Sequence, residues 1–208
     1  MECKLILIDF DGTIVDSKKF HKKGLIESLN KNNIKFNKKQ IPRFLGEKTI
    51  TILRQLKINK NKTKLIIEGI NQEKIEHLND IKLTKPPLFF EKLSKKKPTI
   101  IISNAEGDFI KKSLRNLKIN KYFKNILGAE NFKDKADGIK KMFKKYKIKP
   151  KQAVYIGDRY SDVIYGKRAG VKTIAISNKY SWSTKKELKN QNPDYLIKDL
   201  SDLNKIIR

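Results

Sequence analysis

Short runs of almost wholly apolar residues recur along the chain: KLILID (4–9), TIIIS (99–103), AVYIGD (153–158), KTIAIS (172–177) and DYLI (194–197), with a weaker run, NILGAE, at 125–130. Between the later ones the apolar positions switch to a period near 3.6, around 108–118, 136–147, 160–169 and 183–190. In 137–148, for example, Ile139, Met142, Phe143 and Tyr146 share one helical face and Lys140, Lys141, Lys144 and Lys145 take the others. Near-continuous apolar strands alternating with amphipathic helices predict an α/β fold, a doubly wound parallel sheet covered on both faces. The first strand breaks the alternation. After it come Leu25/Leu29, Ile50/Leu53/Leu56, then Leu65, Ile66, Ile70, Ile75 and Leu78, all at helical spacing and with no strand pattern among them. Residues 16–87 therefore read as a helical insertion, closed by the KPP at 85–87 as a helix stop, within a core made of 1–15 and 88–208.

The strands end abruptly in polar residues. The first stops at Asp9, with Asp11 two residues on; TIII is followed by Ser103 and Asn104, and VYIG by Asp158. In an open parallel sheet, ligands bind beyond the carboxyl ends of the strands, so these residues converge on one crevice. Clustered carboxylates without a counter-ion repel each other and lose hydration, which predicts a hard divalent cation among Asp9, Asp11 and Asp158. A calcium loop starting at Asp9 is excluded, because its sixth and twelfth positions would be Ile14 and Phe20 rather than Gly and Glu. Asp9 and Asp11, at i and i+2, project to the same side of an extended chain, so one can attack while the other moves protons. Gly12 permits a sharp turn directly after them, and Lys135, ahead of the helix at 136–147, offers counter-charge to an anion. The set suits phosphoryl transfer.

Forty-nine Lys+Arg against 22 Asp+Glu give a net charge of +27, which invites a nucleic-acid partner. The lysines are spread along the whole chain without interleaved aromatics, as a compositional bias would leave them, so a nucleic-acid role is the lesser expectation. A single cysteine, Cys3, rules out an internal disulfide framework and suits a reducing, cytoplasmic setting. No apolar stretch approaches the length of a membrane span, and no signal-peptide pattern opens the sequence.

With these residues in view, the chain resembles a phosphatase of the haloacid dehalogenase (HAD) superfamily, in the phosphoglycolate phosphatase and β-phosphoglucomutase branch with a helical C1 cap. The motifs stand in order as Asp9-Phe-Asp11-Gly-Thr13, Ser103-Asn104, Lys135 and GDRYSD (157–162), and the likeness continues through KRAGVKTIAIS (167–177) and NPDYLIKDL (192–200). The resemblance implies a Rossmann-like core and an aspartyl-phosphate formed on Asp9. Asp11 is then the general acid and base, and Mg2+ is held by Asp9, the Asp11 carbonyl and Asp158, with Asp162 in support. It further implies phosphate contacts from Thr13, Ser103, Asn104 and Lys135. Ala136 stands where the third motif often has proline, which leaves Lys133 as the fallback for Lys135. The second aspartate excludes the dehalogenase branch. His21, twelve residues after Asp9, and Arg43 and Lys48 in the loop IPRFLGEKT (41–49) are the cap residues expected to face a substrate. The expected partner is a small phosphorylated metabolite, the expected assembly a monomer or weak homodimer. A sugar phosphomutase of the same fold and a nucleic-acid-directed phosphatase are the alternatives.

Overall fold

The computed structural model describes residues 3–207, apart from the side chains of residues 42, 43, 60 and 61. At its centre lies β1 (Leu5–Ile8), all four of whose residues are buried. It pairs in parallel with β4 (Thr99–Ile102) on one side and with β6 (Ala153–Gly157) on the other. The sheet continues outward to β5 (Asn125–Leu127) beyond β4, and through β7 (Lys172–Ile176) to β8 (Tyr195–Ile197) beyond β6. The result is a six-stranded parallel sheet in the order β5-β4-β1-β6-β7-β8, as the apolar runs predict.

Strand alternation distributes the core over two faces. Ile6 and Ile8 join Ile101, Val154 and Ile156 on one face, under Phe90 and Leu93 of α5 (Pro87–Lys96), Phe109 and Leu114 of α6 (Gly107–Asn116) and Leu203 of α10 (Leu203–Ile206). Leu5 and Leu7 join Ile100, Ile102 and Tyr155 on the other, under Ile139, Met142 and Phe143 of α7 (Lys135–Tyr146) and Ala169 of α8 (Tyr160–Ala169). A smaller cluster packs Leu188 of α9 (Lys185–Asn190) against Val163 and Ala175. Burying each β1 side chain is worth about 1.5–3 kcal/mol, and a slip in register would draw Asp9 into the sheet. The register observed sets Ile8 beside both Ile101 and Ile156, so the three central strands end level with one another.

The insertion comprises α1 (Lys18–Lys31), α2 (Ile41–Phe44), α3 (Thr49–Gln55) and α4 (Lys60–Glu76). These helices enclose a separate apolar cluster containing Leu25, Leu29, Ile41, Leu45, Leu53, Ile66 and Ile70. Three expectations need correction here. Leu65 points outward, 65% exposed, while its neighbour Ile66 is buried. The segment read as strand-free contains β2 (Val15–Asp16), which pairs antiparallel with β3 (Lys82–Leu83) at the point where the chain enters and leaves the insertion. Thr84 reinforces that ribbon, its hydroxyl donating to the Thr13 carbonyl at 2.6 Å and its N–H to the Ile14 carbonyl at 3.0 Å. Finally, the prolines at 86 and 87 do not stop a helix. α4 ends earlier, at Glu76, and Pro87 starts α5, where its missing N–H costs nothing and its fixed φ suits the first turn.

Candidate active site

Beyond the level ends of β1, β4 and β6 the chain turns polar and stays buried. Asp9, Ser103, Asp158 and Asp162 are each under 4% exposed. Lys135, the first residue of α7, reaches this floor from the side, because Asp134 caps the helix by accepting the Asp137 N–H at 3.0 Å and so sets its first turn. The Lys135 ammonium lies 2.6 Å from Asp162 Oδ1 and 2.9 Å from Asp9 Oδ1. Burial opposes its charge, but Asp162 and Asp9 outweigh that and raise its pKa. Asp162 is saturated on every side, since it also accepts from the Tyr155 hydroxyl at 3.1 Å and from the Arg159 N–H at 3.0 Å. Its place is set by β6 and by the first turn of α8.

Carboxylate oxygens of Asp9, Asp158 and Asp162 lie within 4.8 Å of one another. Burial, with the neighbouring charges of Asp162 and Asp11 and against that of Lys135, pushes Asp9 up to about 7. Burial and the charges of Asp9 and Asp162 push Asp158 well above the usual carboxylate range. Asp9 Oδ1 is ion-paired to Lys135 yet has no hydrogen-bond partner. A set of hard oxygen donors whose negative charge is this heavily penalised fits a hard divalent cation.

Asp11 sits on the other side of the turn. Its Oδ1 accepts from the Ser17 hydroxyl at 2.6 Å and lies 2.7 Å from His21 Nε2. Burial works against its charge, but His21, Ser17 and Lys74 together hold it below the usual range, so it is ionised near neutral pH. Gly12 makes the turn possible. Its φ is +74°, and a Cβ there would overlap Asp158 Oδ2 and the Trp182 ring.

Asp9, Asp11, His21, Ser103, Asn104 and Lys135 all line one cleft between the carboxyl ends of the central strands and the insertion. Asp158 and Asp162 sit beside Asp9 at the strand ends, whereas two other sequence candidates point away from the cleft. Thr13 is fully buried and donates to Asp158 Oδ1 at 3.2 Å, so its hydroxyl orients that carboxylate and does not face the cleft. Lys48 is directed to the carbonyls of Ala129 and Phe132 and over the Phe132 ring, tying the insertion to the core. The side chain of Arg43 is outside the described residues.

Several residues that the sequence did not single out complete the cleft. The Trp182 N–H donates to Asp158 Oδ2 at 2.6 Å, and its ring packs 5.5 Å from that of His21. Lys74 of α4, only 5% exposed, lies 3.3 Å from Glu106 at the start of α6, and Thr49 donates to the same carboxylate at 2.9 Å. Asn104 donates to the Gly46 carbonyl at 2.9 Å, and Arg159 Nη2 lies 3.5 Å from Glu47 Oε1. The insertion is thus latched over the strand ends by side chains from both parts. Arg159 and Trp182 had a sequence signal, one inside GDRYSD and the other the only tryptophan; Lys74 had none among so many lysines.

The chain is similar over its whole length to known proteins. A protein from Oceanobacillus iheyensis named pyrophosphatase PpaX is 25% identical, the match covering 100% of this chain and 98% of that one. A phosphoglycolate phosphatase from Aquifex aeolicus is 29% identical over 98% of this chain and 96% of its own. Among solved structures, a haloacid dehalogenase-like family hydrolase from Streptococcus pneumoniae superposes with a TM-score of 0.83 at 22% identity, covering 99% of this chain and 98% of that chain. A hydrolase from Pseudomonas syringae reaches 0.85 at 20% identity, covering 99% and 100%. These likenesses establish the fold. The family model for haloacid dehalogenase-like hydrolases matches residues 6–176, from the first strand to the fifth of the sheet's six in chain order, and the chain belongs to that family.

Proposed function

We propose that this hydrolase is a Mg2+-dependent phosphatase that cleaves a small phosphorylated metabolite through an aspartyl-phosphate on Asp9. The observation that carries the reading is the pairing of two buried aspartates with different surroundings at one cleft. Asp9 is held beside Lys135, and Asp11 beside Ser17 and His21. Asp9, the Asp11 backbone carbonyl and Asp158 would hold the Mg2+, with Asp162 in support, and the ion when bound would neutralise the phosphoryl oxygens and the carboxylates around it.

Asp9 attacks phosphorus with a carboxylate oxygen, forming the acyl phosphate as the ester oxygen departs. Asp11 protonates that oxygen and then takes a proton from the water that hydrolyses the acyl phosphate, returning Asp9 and releasing phosphate. The ionised state in which Ser17 and His21 hold Asp11 suits the second step directly, and the first step needs Asp11 to carry a proton. Lys135 supplies fixed positive charge, and the Ser103 hydroxyl at the end of β4 a hydrogen bond, to the phosphoryl oxygens.

Residues 16–87 act as a cap on a core of 1–15 and 88–208. The β2–β3 ribbon at their junction and the independent apolar cluster of α1–α4 support that division. A cap over the cleft excludes water and favours small substrates. The relatives named pyrophosphatase and phosphoglycolate phosphatase act, by those names, on small phosphorylated compounds. No helix among the described residues is long and apolar enough to cross a membrane, and with Cys3 buried as a free thiol the reading extends to a cytoplasmic enzyme. Replacing Asp9 by Asn keeps the shape and removes the nucleophile. Asp9→Asn should reduce phosphate release to background with an unchanged circular dichroism spectrum and melting curve; wild-type turnover in that variant would refute the mechanism.

A further inference from the structure

Two buried side-chain nitrogens of residues lining the cleft, Arg159 Nη1 and Trp182 Nε1, lack a hydrogen-bond partner among the described residues. Both are on side chains that can only donate. Arg159 is 6% exposed and firmly placed. Its guanidinium packs on Gly46 so closely that a Cβ there would overlap Nη1, and it lies 5.8 Å from the centre of the Tyr160 ring. Its one acidic neighbour in an ion pair, Glu47, approaches Nη2 only to 3.5 Å and leaves Nη1 unmatched. A buried donor without an acceptor is a standing cost, relieved when a ligand brings the acceptor.

The position of Arg159 separates it from the phosphoryl group. Lys135 is held by Asp9 and Asp162 on the floor of the cleft, whereas the Arg159 guanidinium is packed against Gly46 and Glu47 of the insertion, so a substrate that phosphorylates Asp9 would meet Arg159 with a part that reaches toward the insertion. We propose that Arg159, with Trp182 Nε1, is a specificity-determining site for an anionic oxyacid group on the leaving half of the substrate. The substrate class is then small phosphate esters or anhydrides whose leaving group carries a carboxylate or a second phosphoryl. This rests on the phosphatase reading of Asp9 and adds to it the chemistry of the other end of the substrate.

The test compares kcat/KM, with Mg2+ present, for 2-phosphoglycolate, pyrophosphate and 2-hydroxyethyl phosphate, the last being the counterpart of the first with an uncharged leaving group, called the neutral ester below. At least one anionic compound should exceed the neutral ester by about 100-fold, the range of a buried charged hydrogen bond; which one does so tells carboxylate from phosphoryl. Arg159→Gln should lower kcat/KM for that compound by about the same factor, mainly through KM, and lower it far less for the neutral ester. Arg159→Lys should restore part of the loss. Trp182 is the sole tryptophan, so its fluorescence should shift when phosphonoacetate binds the wild type, and the shift should weaken in Arg159→Gln. Equal efficiency of the wild type toward neutral and anionic compounds overturns the proposal even if no variant folds, and so does an Arg159→Gln loss that is uniform across substrates. Turnover of p-nitrophenyl phosphate without turnover of the three test compounds also overturns it while sparing the phosphatase reading. Failure with p-nitrophenyl phosphate as well would remove both.

Discussion

Gly12 and Thr13 show how closely the backbone and the placing of the Asp158 carboxylate are joined at single residues. Gly12 has a φ of +74°, a region that costs an L-residue about 1–2 kcal/mol, and it faces Asp158 with no room for a Cβ. Gly12→Ala should therefore lower the melting temperature by at least about 2–4 °C, the shift expected per kcal/mol in a chain of this size, and should abolish turnover by displacing Asp158. A thermal melt and a phosphate-release assay check both. Thr13 distinguishes two roles that the motif alone leaves merged. Its hydroxyl donates to Asp158 and does not face the cleft. Thr13→Val should raise the Mg2+ concentration needed for half-maximal activity while leaving inhibition by product phosphate nearly unchanged. A phosphate contact would give the opposite pattern.

Between elements, the contact that matters most to closure is α4 against α6. Lys74 and Glu106 form a largely buried pair across the seam of the insertion and core, with Thr49 as a third member. Burial pushes Glu106 up, but the Lys74 charge and the hydrogen bonds to it outweigh burial and hold it below the usual carboxylate range. Its contribution to stability is thus present above the unfolded carboxylate pKa of about 4.3 and lost as pH falls through the lower folded value. Lys74→Met leaves the burial and removes the main opposing charge. Glu106 should then titrate above its unfolded value, and its ionised form should destabilise the fold at neutral pH, by about 3–5 kcal/mol if the pair behaves as buried pairs do. Acidification should narrow the gap between variant and wild type. Denaturant unfolding at neutral and mildly acidic pH measures this, and a gap that widens on acidification would contradict the assignment.

At the scale of the whole molecule, the net charge of +27 lies largely on exposed helix faces. Lys140, Lys141, Lys144 and Lys145 of α7 are all exposed, and pairs such as Lys95–Glu91 and Lys112–Asp108 are ordinary i,i+4 neighbours. The cations of the cleft are different: Lys74, Lys135 and Arg159 are each buried beside a carboxylate. Charges so enclosed are screened far less than surface charges, for which the Debye length is about 8 Å at physiological ionic strength. Turnover of a small phosphate ester should accordingly change less than about twofold between low and physiological salt. A polynucleotide substrate would instead lose affinity steeply through counterion release. Steady-state kinetics over a salt series decides between them.

The parallel sheet and the polar ends of β1, β4 and β6 were readable from the chain, because strand and helix periods and apolar-to-acidic transitions are local properties; the central place of β1 came only from the strand order. For the same reason Asp9, Asp11, Ser103, Asn104 and Lys135 could be proposed together, and the structure places them on one cleft. The two-residue strands β2 and β3 are too short to carry a period, and their pairing exists only because the two ends of the insertion meet. The helix started by Pro87 was obscured by a signal that serves equally to end one. The direction of the Thr13 hydroxyl depends on β1 and β6 lying side by side, which brings Thr13 to Asp158 across 145 residues of chain. The turning of Lys48 toward Ala129 and Phe132, and the entry of Lys74, Arg159 and Trp182 into the cleft, depend on how two separate apolar cores dock, which joins residues as far apart as Lys18 and Trp182 through contacts no local pattern encodes.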